Sequence, residues 1–170
     1  MQDNIIVKPS VEKQFDRFLR QGRVLFFSAP CGFGKTAVAE ALLSSREVLR
    51  LPADSVGSKL PSAEADWQIL LLDDLQDMQE EQDWNALCEL IRACPERRFV
   101  LLSRGTPPGS LMAFQYTGLM TVLEADDLLF DADDVRRLFQ LSGANVTDSE
   151  IDGILKESVG YPLGVAITAR

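Results

Sequence analysis

The stretch Ser28-Ala29-Pro30-Cys31-Gly32-Phe33-Gly34-Lys35-Thr36 has the residue types needed to hold an anion. An apolar run, Val24-Leu25-Phe26-Phe27, feeds into it, and a helix is expected to open at its end. In such a strand-loop-helix turn, backbone N–H groups point inward at a phosphate and the helix N-terminus adds its positive dipole end. Ala29, Pro30, Cys31, Gly32, Phe33 and Gly34 would form the cradle, with Gly34 letting the backbone approach closely. Lys35 can reach β- and γ-phosphate oxygens as a mobile point charge, and the Thr36 hydroxyl can ligate Mg²⁺ beside them. The usual pattern, G-x-x-x-x-G-K-[ST], is missed at its first place, where Ala29 stands, but a methyl group is small enough to fit there.

Two further strand ends carry chemistry. Ile69-Leu70-Leu71-Leu72 is a run without alternation, as expected of a strand buried on both faces, and it ends in Asp73-Asp74. Asp73 would hold Mg²⁺, largely through water, opposite Thr36, while Asp74 would orient or deprotonate an attacking water. One such Asp taken alone is an ordinary acidic cap; the upstream loop gives the pair its chemical meaning. Phe99-Val100-Leu101-Leu102 is a second buried run and stops at Ser103-Arg104, where ligands bind in open α/β sheets. Arg104 could reach a γ-phosphate, its plain alternative being a solvated loop arginine.

The elements that must position these groups follow from periodicity and turn residues. Helices are expected over 9–21, opened by Pro9, turned inward on Val11, Phe15, Phe18 and Leu19 and closed by Gly22, and over 35–45, with Val38, Ala41 and Leu42 inward. Residues 23–28, 47–51, 67–72, 98–103 and 119–123 read as strands, with helices over 79–94 and 110–116. The segment 52–66 reads as a surface connection with at most one helical turn. Alternation of strand and helix argues a parallel sheet. From Ala125 the pattern becomes helical: Asp131 and Thr147 cap two helices, Gly160-Tyr161-Pro162-Leu163-Gly164 interrupts, and a last helix reaches Arg170. The division expected is 1–124 for a nucleotide-binding unit and 125–170 for a small helical subdomain. Val165 to Ala169 is still apolar where the sequence stops, which reads as a piece of something longer.

Composition narrows the partners. The 170 residues carry a net charge of −9, are 46% hydrophobic and 25% charged, and contain 3 cysteines and 0 histidines. A zinc site or a His-based triad is thereby excluded, and the cysteine usage suits a reducing cytoplasm. The acidic balance argues against direct DNA contact by this piece. No apolar run approaches the length of a membrane span.

Taken together, the phosphate loop from Ala29 to Thr36, Leu70-Leu71-Leu72-Asp73-Asp74, Leu102-Ser103-Arg104-Gly105-Thr106-Pro107-Pro108 and Gly160-Tyr161-Pro162-Leu163-Gly164 resemble the STAND-class signal-transduction ATPases. The likeness is closest to the large MalT-like regulators of the LuxR family, whose loop also tends to begin Ala-Pro. Val7-Lys8-Pro9 and the acidic helix start after Leu129-Phe130 look similar too. The resemblance implies an α/β P-loop NTPase fold of the ASCE type, with a five-stranded parallel sheet in the order 5-1-4-3-2. It also implies an arginine sensor at Arg104, the backbone of Pro162 near an adenine, and further helical domains ending in a helix-turn-helix that would contact DNA. One departure is Gln76, where related sequences often place a histidine. The function implied is an ATP/ADP-operated, self-associating switch reset by slow hydrolysis. The alternative is an AAA-like or kinase-like P-loop enzyme whose turnover is itself the output.

Overall fold

Four-residue apolar runs with no polar alternation require cover on both sides, and the chain supplies it with two layers of helices. A computed structural model describes residues 5–168. The elements α1 (Pro9–Gln21), β1 (Val24–Ser28), α2 (Lys35–Leu43), β2 (Val48–Pro52), α3 (Val56–Lys59), β3 (Ile69–Asp73), α4 (Glu81–Ala93), β4 (Arg98–Ser103), α5 (Met112–Tyr116) and β5 (Met120–Glu124) build a sheet with its helices. They are followed by α6 (Ala125–Leu128), α7 (Ala132–Leu141), α8 (Asp148–Ser158) and α9 (Pro162–Thr168). The strands pair in parallel in the order β2-β3-β4-β1-β5, which is the expected 5-1-4-3-2 read from the other edge.

The two-residue period of the strands sorts their side chains between the layers. Val24 and Phe26 of β1, Leu70 and Leu72 of β3, and Phe99 and Leu101 of β4 join Leu87, Cys88 and Ile91 of α4 and Phe114 of α5 on one side. Leu25, Phe27, Leu71, Val100 and Leu102 join Val11, Phe15 and Phe18 of α1 and Val38, Ala39 and Leu43 of α2 on the other. Burying each of these large side chains is worth roughly 1.5–3 kcal/mol, which favours β3, β4 and β1 as the three interior strands, with β4 central. A third cluster, Val135, Leu138, Phe139, Ile151 and Val165, lies within α7–α9, and Ile6 from the N-terminal segment enters it.

Gly22 closes α1 as expected, in an extended conformation (φ −87°, ψ 173°), and the Phe18 backbone 3.1 Å from where a Cβ would be makes a side chain there a tight fit. Several local expectations change. The inward face of α2 is Val38, Ala39 and Leu43, with Ala41 half-buried. Its sequence is apolar on most sides, so the sheet and not the pattern chose the face. The segment 52–66 is no mere surface connection, because a 3₁₀ turn at Ala53–Ser55 and α3 bury Ala53 and Val56 under α4. The helix expected from residue 79 begins at Glu81, after a 3₁₀ turn at Leu75–Asp77. The last helix is described through Thr168, so its expected end at Arg170 lies outside the described residues.

Candidate functional site

Three strand ends meet because β4 lies between β1 and β3. Ser28 is registered against Ser103 and Leu72 against Leu101, so the loop after β1, the Asp73-Asp74 pair at the end of β3 and Arg104 after β4 all lie at the carboxyl end of the sheet. The Ala29 N–H donates to the Ser103 carbonyl at 3.2 Å and the Ser28 hydroxyl to the Gly105 carbonyl at 3.0 Å, which ties the loop to the end of β4.

The loop turns through Gly32 (φ +83°) and Gly34 (φ +77°), and Gly34 hands the chain to α2. These are left-handed conformations that a side chain makes costly. Lys35 lies folded back along the loop, donating to the Ala29 carbonyl at 2.6 Å and the Pro30 carbonyl at 3.0 Å. Burial lowers its pKa, the nearby Arg104 cation lowers it further, and Asp73, Cys31 and Asp74 oppose both. The charge of Arg104 is therefore felt at Lys35, although Arg104 itself is exposed.

Asp73 uses both carboxylate oxygens. Its Oδ2 accepts from the Thr36 hydroxyl at 2.9 Å and its Oδ1 from the Asp74 N–H at 2.7 Å. A carboxylate against a hydroxyl at the lip of an anion cradle is a hard-oxygen donor pair, and it fits Mg²⁺ that takes its other ligands from phosphate and water. Asp74 sits in the left-handed region (φ 58°, ψ 37°), a place that only a short polar side chain tolerates at modest cost. Its Oδ1 accepts from Gln76 Nε2 at 2.9 Å.

Beside the loop lies a cavity of about 250 Å³, lined by Ile6, Val11, Phe33, Val38, Leu138 and Pro162 among others. Almost all of the lining is apolar; its one charged member, Lys8, is engaged by the Leu129 carbonyl and, at 3.4 Å, by the buried Asp134 carboxylate. The 160–163 turn closes the far wall and grips the loop. The Tyr161 hydroxyl donates to the Cys31 carbonyl at 3.0 Å, the Leu163 N–H to the Gly32 carbonyl at 3.2 Å, and the Tyr161 ring tilts against Phe33 with centroids 5.2 Å apart. Of the residues marked in the sequence, Gly32, Phe33, Gly34 and Pro162 line this cavity; Thr36 joins the loop to Asp73, Asp73 accepts from the Asp74 N–H, and Asp74 and Arg104 stand outside the cavity, on the side of the loop where β3 and β4 end.

Two residues were not assigned a role there from sequence. Tyr161 lay inside a marked motif, yet its partner stands 130 positions away. Gln76 was noted only as a departure.

Gly32 offers a test of this packing. A Cβ there would overlap the Tyr161 hydroxyl and approach its ring carbon Cζ to 2.6 Å, in addition to the left-handed backbone cost. Gly32→Ala is expected to destabilise the fold by about 2–4 kcal/mol in urea unfolding, and by only about 1–2 kcal/mol when made in a Tyr161→Ala background. Equal losses in both backgrounds would show that Tyr161 does not abut Gly32.

No family model and no curated protein matches the sequence. Solved structures do match the fold. A Walker-type ATPase of Pyrococcus abyssi superposes with a TM-score of 0.66 at 10% identity, over 99% of this chain and 67% of its own. A DNA replication initiation factor gives 0.57 at 16% identity, over 91% of this chain and 58% of its own. A signal transduction ATPase with numerous domains, bearing a tetratricopeptide repeat sensor, from Pyrococcus horikoshii gives 0.61 at 12% identity. This chain covers 95% of itself but only 29% of that protein. At such identities the likeness is one of fold, and the fold is that of the P-loop ATPases. Among the described residues no helix is long and apolar enough to cross a membrane.

Proposed function

We propose that the chain is an ATP/ADP-binding switch module, in which the phosphates lie in the Ala29–Thr36 loop and the base in the apolar cavity beside Pro162. The observation that carries this reading is the pair of hydrogen bonds from Tyr161 and Leu163 to the loop carbonyls. Through them the helical part is attached to the phosphate site itself, which suits a device that reports on its nucleotide more than one that merely turns it over. On this reading residues 1–124 form the nucleotide-binding unit and 125–170 the moving helical part. Its setting would be a longer, cytoplasmic, signal-responsive transcription regulator that self-associates with ATP and contacts DNA elsewhere. The motif resemblance and the likeness to a STAND protein's fold support that setting.

The roles divide by chemistry. Lys35 leaves its two carbonyl partners for phosphate oxygens, and Thr36 with Asp73 holds the metal. When bound, Mg²⁺ would neutralise charge developing on the phosphates. Asp74 orients the attacking water and accepts its proton. Arg104, just past the strand beside the loop strand, reads the γ-phosphate with a guanidinium that can span two oxygens.

A switch should retain nucleotide through purification and hydrolyse it on the order of minutes per event, far below the usual 1–100 s⁻¹ of kinases. Chromatography of the released nucleotide and a steady-state assay check both; an empty protein with fast turnover would favour the enzyme reading. Within the same site, Arg104→Ala is expected to weaken ATP by about tenfold to a hundredfold, from loss of one charge-assisted contact, while ADP changes little. Equal losses for ATP and ADP in titration calorimetry would make Arg104 a general phosphate or structural residue.

A further inference from the structure

Gln76 lies in the 3₁₀ turn Leu75–Asp77, two residues past Asp74, and its amide faces two different elements. Nε2 donates to Asp74 Oδ1 at 2.9 Å, and Oε1 accepts from the backbone N–H of Arg104 at 3.1 Å. The orientation is set by the partners: a reversed amide would bring oxygen against a carboxylate and NH₂ against N–H. One planar group carries a donor and an acceptor here, a combination that an ionised Glu or a Lys cannot offer.

The two ends differ in rigidity. Arg104 follows Ser103, which is 4% exposed, and the chain is pinned just beyond by the Gly105 N–H on the Ser103 hydroxyl at 3.1 Å. Asp74 is exposed, and its side chain would otherwise choose among its rotamers in solvent. The anchored end therefore disciplines the free one.

The geometry points to Gln76 as a positioning residue that sets the Asp74 carboxylate against the end of β4 from which Arg104 projects. The inference rests on the nucleotide-switch reading and adds to it a partner for Asp74. Hydrolysis would then depend on where the end of β4 stands, since one amide places the carboxylate by reference to the strand that carries the γ-phosphate contact.

The test uses Gln76→Ala, Gln76→Glu and Gln76→His. Steady-state kinetics with MgATP are paired with calorimetric binding of MgADP, alone and with aluminium fluoride, which mimics the transferring phosphoryl group. Gln76→Ala is expected to bind MgADP within about twofold of the parent. It should lose about tenfold in kcat with KM little changed, and about tenfold in its preference for MgADP with aluminium fluoride over MgADP alone. Gln76→Glu keeps the acceptor for Arg104 but turns a second carboxylate toward Asp74, and should fall at least as far. Gln76→His, whose neutral ring again offers one donor and one acceptor, should recover to within about threefold of the parent. A merely structural residue would instead lower the melting temperature and MgADP binding together with kcat. Unchanged kcat and unchanged aluminium fluoride preference in Gln76→Ala, or a Gln76→Glu protein equal to the parent, overturns the inference. If parental turnover is too slow to follow, the aluminium fluoride preference decides alone. If the parent binds neither MgATP nor MgADP, the nucleotide reading itself fails, and the role of Gln76 falls with it.

Discussion

Lys35→Ala is expected to remove about a hundredfold or more of the affinity for ATP while leaving the fold intact. The ammonium group contributes through two charge-assisted contacts to phosphate oxygens, each worth roughly 1.5–3 kcal/mol. Among the described residues it donates to the Ala29 and Pro30 carbonyls, both on the loop it serves. Removing it leaves an exposed carbonyl at Pro30 and a part-buried one at Ala29, so at most about one hydrogen bond's worth of stability is lost and the melting temperature should fall only slightly. Titration calorimetry on a variant of parental melting temperature provides the check. Unchanged ATP affinity there would mean that Ala29–Thr36 is not a phosphate loop.

Asp74→Asn should lose about 10²- to 10⁴-fold in hydrolysis, the range expected when a positioned acid-base group is removed, with ATP affinity preserved within about twofold. Asparagine tolerates the left-handed backbone at φ 58° as well as aspartate does, and its Oδ1 can still accept from Gln76, so the substitution removes basicity and little else. Asp73→Ala is the contrasting variant. It strips Thr36 of its acceptor and leaves the Asp74 N–H without its 2.7 Å partner, so Mg²⁺-dependent binding should weaken. Matching binding defects in the two variants, measured with and without Mg²⁺, would refute the division of labour between the carboxylates.

How much of this was legible in the sequence depended on how local each determinant is. β1, β3 and β4 declare themselves because strands covered on both faces need unbroken apolar runs, and Arg98–Ser103 is bounded in the structure as its sequence suggested. The loop proposed to hold phosphate is local in the same way: the groups assigned to it lie in nine consecutive residues, Ser28 to Thr36. The burial of Ala53 and Val56 was not legible. A 3₁₀ turn and a four-residue helix are too short to show a period, and only the docking of α4 over them makes them core. The face of α2 failed because Lys-Thr-Ala-Val-Ala-Glu-Ala-Leu-Leu offers apolar residues nearly all around. Gln76 and Tyr161 were hidden by distance: beside its neighbour Asp74, Gln76 meets the Arg104 N–H 28 positions on, Tyr161 meets the Cys31 carbonyl 130 positions back, and no spacing rule connects them.

The grip of the 160–163 turn on the loop carbonyls of Cys31 and Gly32 has a thermodynamic corollary. Two hydrogen bonds and a ring contact make the seating of α9 part of the free energy of the loop conformation that a phosphate would select. Linkage then runs in both directions with one coupling constant: whatever factor the nucleotide applies to the equilibrium between seated and unseated α9, displacement of α9 applies to nucleotide affinity. On the proposed nucleotide reading, a force or a competitor acting on the last helix would thus be felt as a change in dissociation constant at the phosphates, with no residue of the loop being touched.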